Sequence, residues 1–551
     1  MEFEYGYRGN SAVENGPART ALSFSPDLKR APTFFRGELS QGTAFREAIS
    51  ALHDVVVSDL RYKPKDRTEY LAWVERQQLL DIATIGQQRT KTAQRIREVT
   101  EELERLRARA TARLAPFYSA RKKYFDYLYQ RDINAWYVLD PVITVHPDEV
   151  FFECFSQDES TYGRLGTSFE VYKHVREFAC GTTNVDYSQE LYDEFQKIRS
   201  YKATTFEVDP SGFEVSTQNE ESYKEVKIDL PDTWVRGFLQ VSSAMSLPML
   251  SFQLHPMDLH NFCFILRRHR ETHGPRSMRY VLRPGQPVKV IFEPWNLEVV
   301  CRRSVYEGKE EAEVRVWGRR RLHVLERLIP VAKAFTVHLL GTGLPSFYVA
   351  DLNSMSFTLG LSGWTANDWS TAGNFDLMAP RAAVDELTKR RVFEGLKENW
   401  REDPVTLSRR LDIDRKLVLG ALSAYTQAGR AIYDLNKGVY RVRELSREPL
   451  PMDRLRFSNE REQQASKWVE AGAVSSKAQP SAEGTTRLSG TVREGARSFA
   501  ASLVVDNDQR LIDASCECNF FKQNKLYKGP CEHILAVRMG RDHKWSFNYF
   551  L

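Results

Sequence analysis

Near the end of the chain, Cys516-Glu517-Cys518 is followed by twelve residues and then Cys531-Glu532-His533, so three thiols and one imidazole fall into a CxC pair and a CxH pair. A chain with seven cysteines and eleven histidines in 551 residues produces such paired spacing by accident on the order of one time in a thousand. Four N/S donors at this spacing suit tetrahedral Zn²⁺. A closed Cys₃His set leaves no position for water or substrate. The spacing therefore points to architecture and recognition, with one structural zinc as cofactor and Cys516, Cys518, Cys531 and His533 as its ligands.

The flanking residues support a small β-β-α module. Thr486–Val492, Ser498–Val505 and Arg510–Ser515 read as short strands rich in Leu, Val, Ile and Thr. Asp506-Asn507-Asp508 forms the turn between the last two, and Ile534, Leu535, Val537 and Arg538 continue a helix that carries His533 in its first turn. These residues resemble the SWIM zinc finger, whose CxC and CxH ligands follow a hairpin and open a helix, over residues 451–551. The resemblance implies contact with nucleic acid or with protein. It also implies a bacterial chain whose partner is an ATPase of the MoxR or Swi/Snf type, while a start without a basic and apolar leader pattern makes cytoplasmic the expected location. Between the ligand pairs lie Phe520, Phe521, Lys522, Lys525, Tyr527 and Lys528. Such a basic and aromatic stretch can meet phosphates and stack on bases, or else bury its rings and solvate its lysines.

Residues 379–450 precede the finger. Ala382–Trp400 reads as a helix, Thr406 as the cap of a second short helix and Asp414 as the cap of a third. Val418, Ala421, Leu422 and Tyr425 lie at helical spacing on the buried face of that third helix. Ala431–Tyr433 and Val439–Val442 then flank an Asn-Lys-Gly turn. This order resembles the winged helix of bacterial transcription factors, which implies major-groove binding through the third helix, with Arg415, Lys416, Gly420, Ser423 and Gln427 on its outer side. Arg409, Arg410, Lys437, Arg441 and Arg443 are then the phosphate contacts. Charge is consistent with this: residues 381–551 hold 30 Lys+Arg against 23 Asp+Glu, a net of +7, whereas the whole chain is +5. Winged helices also serve as protein contacts or spacers, so both partners stay open.

At 551 residues the chain is several domains long. The expected fold class is α+β, multidomain. The expected parts are a mobile or extended segment over residues 1–65, a helical hairpin or short coiled coil over 66–130, and a strand-rich central domain over 131–378. In the second part Ile96, Val99, Leu103, Leu106 and Ala110 alternate steps of three and four. Within the central part, His146-Pro147 and His255-Pro256 open similar stretches that suggest a duplication. No span of apolar residues is long enough for a membrane helix. Cys154, Cys180, Cys263 and Cys301 show no disulfide framework and read as buried free thiols.

Clusters at Trp317–Arg321, Gly341–Pro345 and Gly363–Ser370 suggest a pocket, with the arginines suited to an anion and Glu293, Asp351 and Asp368 as carboxylates of a metal-dependent hydrolase. None has catalytic spacing. The favoured function is non-catalytic recognition, with no catalytic residue assigned. The alternative is a nucleic-acid-processing enzyme whose central domain is the catalyst and whose zinc end targets it.

Overall fold

Burial along the strands follows their place in the sheets. Ala334–Leu339 alternates, with Phe335, Val337 and Leu339 inside, as befits a strand with one face covered. Glu149–Phe155 and Met355–Leu361 are buried at every residue, because both sit in the middle of a sheet packed on both sides. The computed structural model describes residues 12–15, 19–24, 33–58, 141–175, 178–184, scattered positions from 192 to 208, 232–271, 274–364, 367–370, 373–380, 384–445, 460–481 and 484–547. These belong to one unit built from residues 1–58 and 139–551. The helical hairpin or coiled coil expected over 66–130 lies outside the described residues.

The described residues are mixed α and β, in keeping with the α+β class. The largest sheet has eight antiparallel strands in the order Leu250–Leu254, Ala334–Leu339, Ser346–Asp351, Met355–Leu361, Thr161–Ser168, Glu149–Phe155, Val142–Val145 and Gly181–Asn184. The helix Gly42–Val56 lies against two central strands, Glu149–Phe155 and Thr161–Ser168. It approaches closely at Gly163, where a Cβ would stand 3.2 Å from Leu52 and Val55. A second sheet orders Leu297–Val305, Pro287–Phe292, Met278–Leu282 and Ala312–Val316.

Two expectations are corrected here. Where described, the first residues are not an extended arm: Ala12–Asn15, Arg19–Phe24 and Phe34–Leu39 join Ala203–Val208 and Tyr172–Lys173 in a sheet. Ala12–Asn15 pairs with the nearby Arg19–Phe24, but Arg19–Phe24 and Phe34–Leu39 find partners more than a hundred residues away, so the Gly, Pro and Ser content misleads. The duplication also fails. His146 leads into a strand, whereas the His255 side chain caps a helix, Pro256–Arg268, that starts with proline at its first position.

Residues 386–442 run helix Glu386–Asn399, strand Arg401–Glu402, helices Pro404–Leu411 and Arg415–Gln427, then the hairpin Ala431–Asp434 and Val439–Val442, which makes a three-stranded sheet with Arg401–Glu402. Asp414 caps the third helix by accepting from the Lys416 amide. The cap of the second is Asp403, not Thr406. Its carboxylate accepts from the Val405 and Thr406 amides, and Pro404 fills the first helical position. Val392, Leu396, Leu407, Val418, Ala421 and Leu422 form the core of this unit, and Phe393 stacks on Tyr425.

Candidate metal centre and recognition surface

The metal centre is assembled by a sheet and two helices. Val474–Pro480, Thr485–Glu494, Arg497–Asp506 and Leu511–Cys516 form four antiparallel strands. The first of these was not legible because Ser475, Ser476 and Lys477 interrupt any apolar alternation. The last strand ends on Cys516, Cys518 caps the helix Asn519–Asn524, and Glu532–Phe547 starts beside Cys531 and carries His533. The last helix packs on the sheet and on Glu460–Glu470. Trp468 stacks on the His533 ring with centroids 4.9 Å apart, and Phe499 approaches it at 4.5 Å.

All four donor atoms lie within 4.8 Å of one another and all four residues are buried. Neither ring nitrogen of His533 has a hydrogen-bond partner, a costly state for a buried imidazole unless a cation takes one of them. The Cys531 contact holds the Cys516 thiol low, against burial, and the same contact drives Cys531 upward. Metal-free, the cluster crowds its donors around one negative charge. A divalent cation satisfies them together.

The loop between the ligand pairs is docked on the strand-rich body. The Tyr527 ring lies parallel to Trp364 at 5.4 Å, and Trp364 packs on Trp317 at 4.6 Å. Asn367 Nδ2 donates to the Tyr527 carbonyl at 2.8 Å. Gly343 stands at φ +74°, where a Cβ would come 2.5 Å from the Tyr527 ring. Arg461 donates to the carbonyls of Lys528 and Pro530, and Arg538 to those of Leu377, Ala379 and Gln509. The clusters around Gly341 and Gly363 are therefore the seat of the finger's own loop. Gly343→Ala meets both a left-handed backbone and the Tyr527 ring, so a loss of about 1–3 kcal/mol is expected. It is read as a lowered midpoint of thermal unfolding with zinc content unchanged.

The other sequence clusters resolve into ion pairs. Arg319 and Arg320 share Glu271 at 2.7 and 2.6 Å, Arg321 holds Asp158 at 2.9 Å, and Arg315 holds Glu293 at 2.8 Å. The arginine triplet is thus matched by carboxylates, and the anion-binding expectation for it is withdrawn. Glu293, Asp351 and Asp368 do not converge on a common point among the described residues.

The proposed nucleic-acid residues separate into two groups. Arg409, Lys416, Lys522 and Lys525 are exposed, and Lys528 is half-buried. The others are engaged. Arg410 is clamped by Glu398 and Glu402, Arg415 reaches Asp508 of the finger at 2.8 Å, and Gln427 donates to Ser243 at 2.7 Å. Gly420 is buried and Ser423 half-buried, because the outer side of the third helix packs against Asp232–Met245. Arg441 and Arg443 are wholly buried, and Lys437 pairs with Asp148 and Glu149. The expectation of phosphate contact by Arg441 and Arg443 is corrected accordingly.

Comparison with known proteins follows this geometry. No curated protein matches the chain. Among solved structures it is similar to the proliferating cellular nuclear antigen of Entamoeba histolytica, with 6% identity and a TM-score of 0.33 over 60% of this chain and 98% of that one, a likeness that assigns nothing. No helix among the described residues is long and apolar enough to cross a membrane. The SWIM zinc finger family matches residues 504–537; that segment is a SWIM zinc finger in which Cys516, Cys518, Cys531 and His533 hold one structural Zn²⁺.

Proposed function

We propose that the chain is a non-catalytic recognition adaptor in which the finger and the helical unit before it, read as a winged helix, are held on the strand-rich body and meet a partner together. SWIM fingers serve contacts with nucleic acid or with protein. The observation that favours a protein partner is the occupied outer side of the Arg415–Gln427 helix: with Gly420 buried and Gln427 bonded to Ser243, that helix exposes its first turn alone, too little to lay along a major groove. An ATPase of the MoxR or Swi/Snf type is the kind of partner the finger's resemblance suggests.

A second reading rests on Arg409, Lys416, Lys522 and Lys525, exposed cations suited to a phosphate backbone. One experiment separates the two: binding of the zinc-loaded full chain to single- and double-stranded nucleic acid over a salt series. The adaptor reading expects weak binding that Lys416→Glu and Lys525→Glu do not change. If the two lysines together neutralise phosphates, binding falls steeply with salt and the double variant lowers the slope of log K against log salt by about 2. That result overturns the protein-first reading.

A further inference from the structure

The zinc finger is not the only place where soft metal donors meet. Arg319–Leu328 is a 3₁₀ run, in which side chains three residues apart eclipse, so His323 and Glu326 stand side by side with Nδ1 and Oε2 3.4 Å apart. This run packs against the helix Pro256–Arg268, which brings up the buried Cys263. The Cys263 sulfur, one His323 nitrogen and one Glu326 oxygen all lie within 4.8 Å of one another.

We propose that Cys263, His323 and Glu326 form a second metal site, which takes a borderline divalent cation such as Zn²⁺ and goes beyond the recognition function. Two observations support this. The donor set is thiol, imidazole and carboxylate, which suits Zn²⁺ or Co²⁺ and is poorly matched to Mg²⁺ or Ca²⁺. The carboxylate is also divided in its roles: Arg267 holds Oε1 at 2.6 Å while Oε2 faces the histidine. A metal-ligating carboxylate is commonly steadied from outside in this way.

The site differs from the finger in access. Its thiol is buried, but His323 and Glu326 keep about a third of their side-chain surface, 30% and 27%. Three protein ligands then leave a fourth position on the solvent side for water or an incoming donor. Zinc here exchanges more readily than in the closed Cys₃His centre.

Metal content of the full chain after equilibration in zinc-buffered solution tests the proposal. The wild type is expected to hold two zinc per chain, Cys263→Ala one, Cys516→Ser one, and the double variant none. His323→Gln, at a half-exposed position that does not burden the fold, is expected to lose the same equivalent as Cys263→Ala and decides the matter if the cysteine variant fails to fold. Co²⁺ loading gives an independent readout: the difference between wild type and His323→Gln is a centre with a single thiolate-to-cobalt band. A wild type with one zinc, lost in Cys516→Ser and untouched by Cys263→Ala and His323→Gln, overturns the proposal.

Discussion

Cys516→Ser is expected to purify without the finger's zinc and with residues 460–547 loosened, a loss of several kcal/mol of stability in that module. The reason is local. The strand that ends on Cys516, the short helix capped by Cys518 and the long helix that starts at Glu532 converge on the donor set. Metal binding free energy becomes folding free energy where one ion ties three elements together. The loss propagates because Tyr527 on Trp364, Arg461 on the 528–530 carbonyls and Arg538 on Leu377 and Ala379 tie the finger to the body. Chelation of the wild type is expected to reproduce the effect, read as new protease cleavage within 460–547 and a change in Trp364 fluorescence. Full zinc content in the purified variant, or an unchanged cleavage pattern after chelation, sinks the idea.

The finger was legible because its information is local. Four ligands fall within eighteen residues, Cys516 to His533, and the strands before them are rich in Leu, Val, Ile and Thr. The third helix was equally clear from Val418, Ala421, Leu422 and the Asp414 cap. What the local pattern could not reveal was the destination of the charges. Arg441 reads as a phosphate contact on a wing, yet its carboxylate partner Asp148 lies 293 positions away. Lys437 meets Glu149 across 288 positions. A basic residue looks the same in sequence whether it faces water or a buried acid, and only the sheet that carries Asp148 and Glu149 decides between them. The glycine and tryptophan clusters show the same limit. Their density correctly signals a crowded surface, but the occupant is Tyr527, some 160 residues later. The edge strand Val474–Pro480 stayed hidden for the opposite reason: most of it faces solvent, so no burial pattern marks it.

Asp434→Ala is expected to cost about 3–5 kcal/mol, as loss of one member of a buried ion network does. Asp434 is buried between two arginines, accepting from Arg441 Nε at 2.7 Å and lying 3.4 Å from Arg164, both themselves almost without exposure. Against burial, which opposes ionisation, those two cations hold its carboxyl below the usual range. Glu149 bonds Arg164, Asp148 receives Arg441 at 2.8 Å, and Arg443 reaches Glu153 at 3.2 Å. The His146 ring bonds the Val442 carbonyl. The network therefore joins the hairpin to the eight-stranded sheet, and removing Asp434 leaves two buried guanidinium groups to share Glu149 and Asp148. Lys437→Ala, at the half-exposed rim of the same network, is expected to cost under about 1 kcal/mol. The pH response has a defined sign. Burial and the Arg441 charge hold the His146 imidazole down at about 3, against 6.5 for a free side chain, so the unfolded chain takes up this proton first and the stability that His146 contributes falls as pH drops from about 6.5 towards 3. The depressed Asp434 carboxyl adds a loss only at lower pH, as pH falls through its folded value. Thermal unfolding of the two variants at pH 7.5 and 5 checks both points. Equal midpoints for Asp434→Ala and Lys437→Ala would mean that the buried network is not what fastens the hairpin to the sheet.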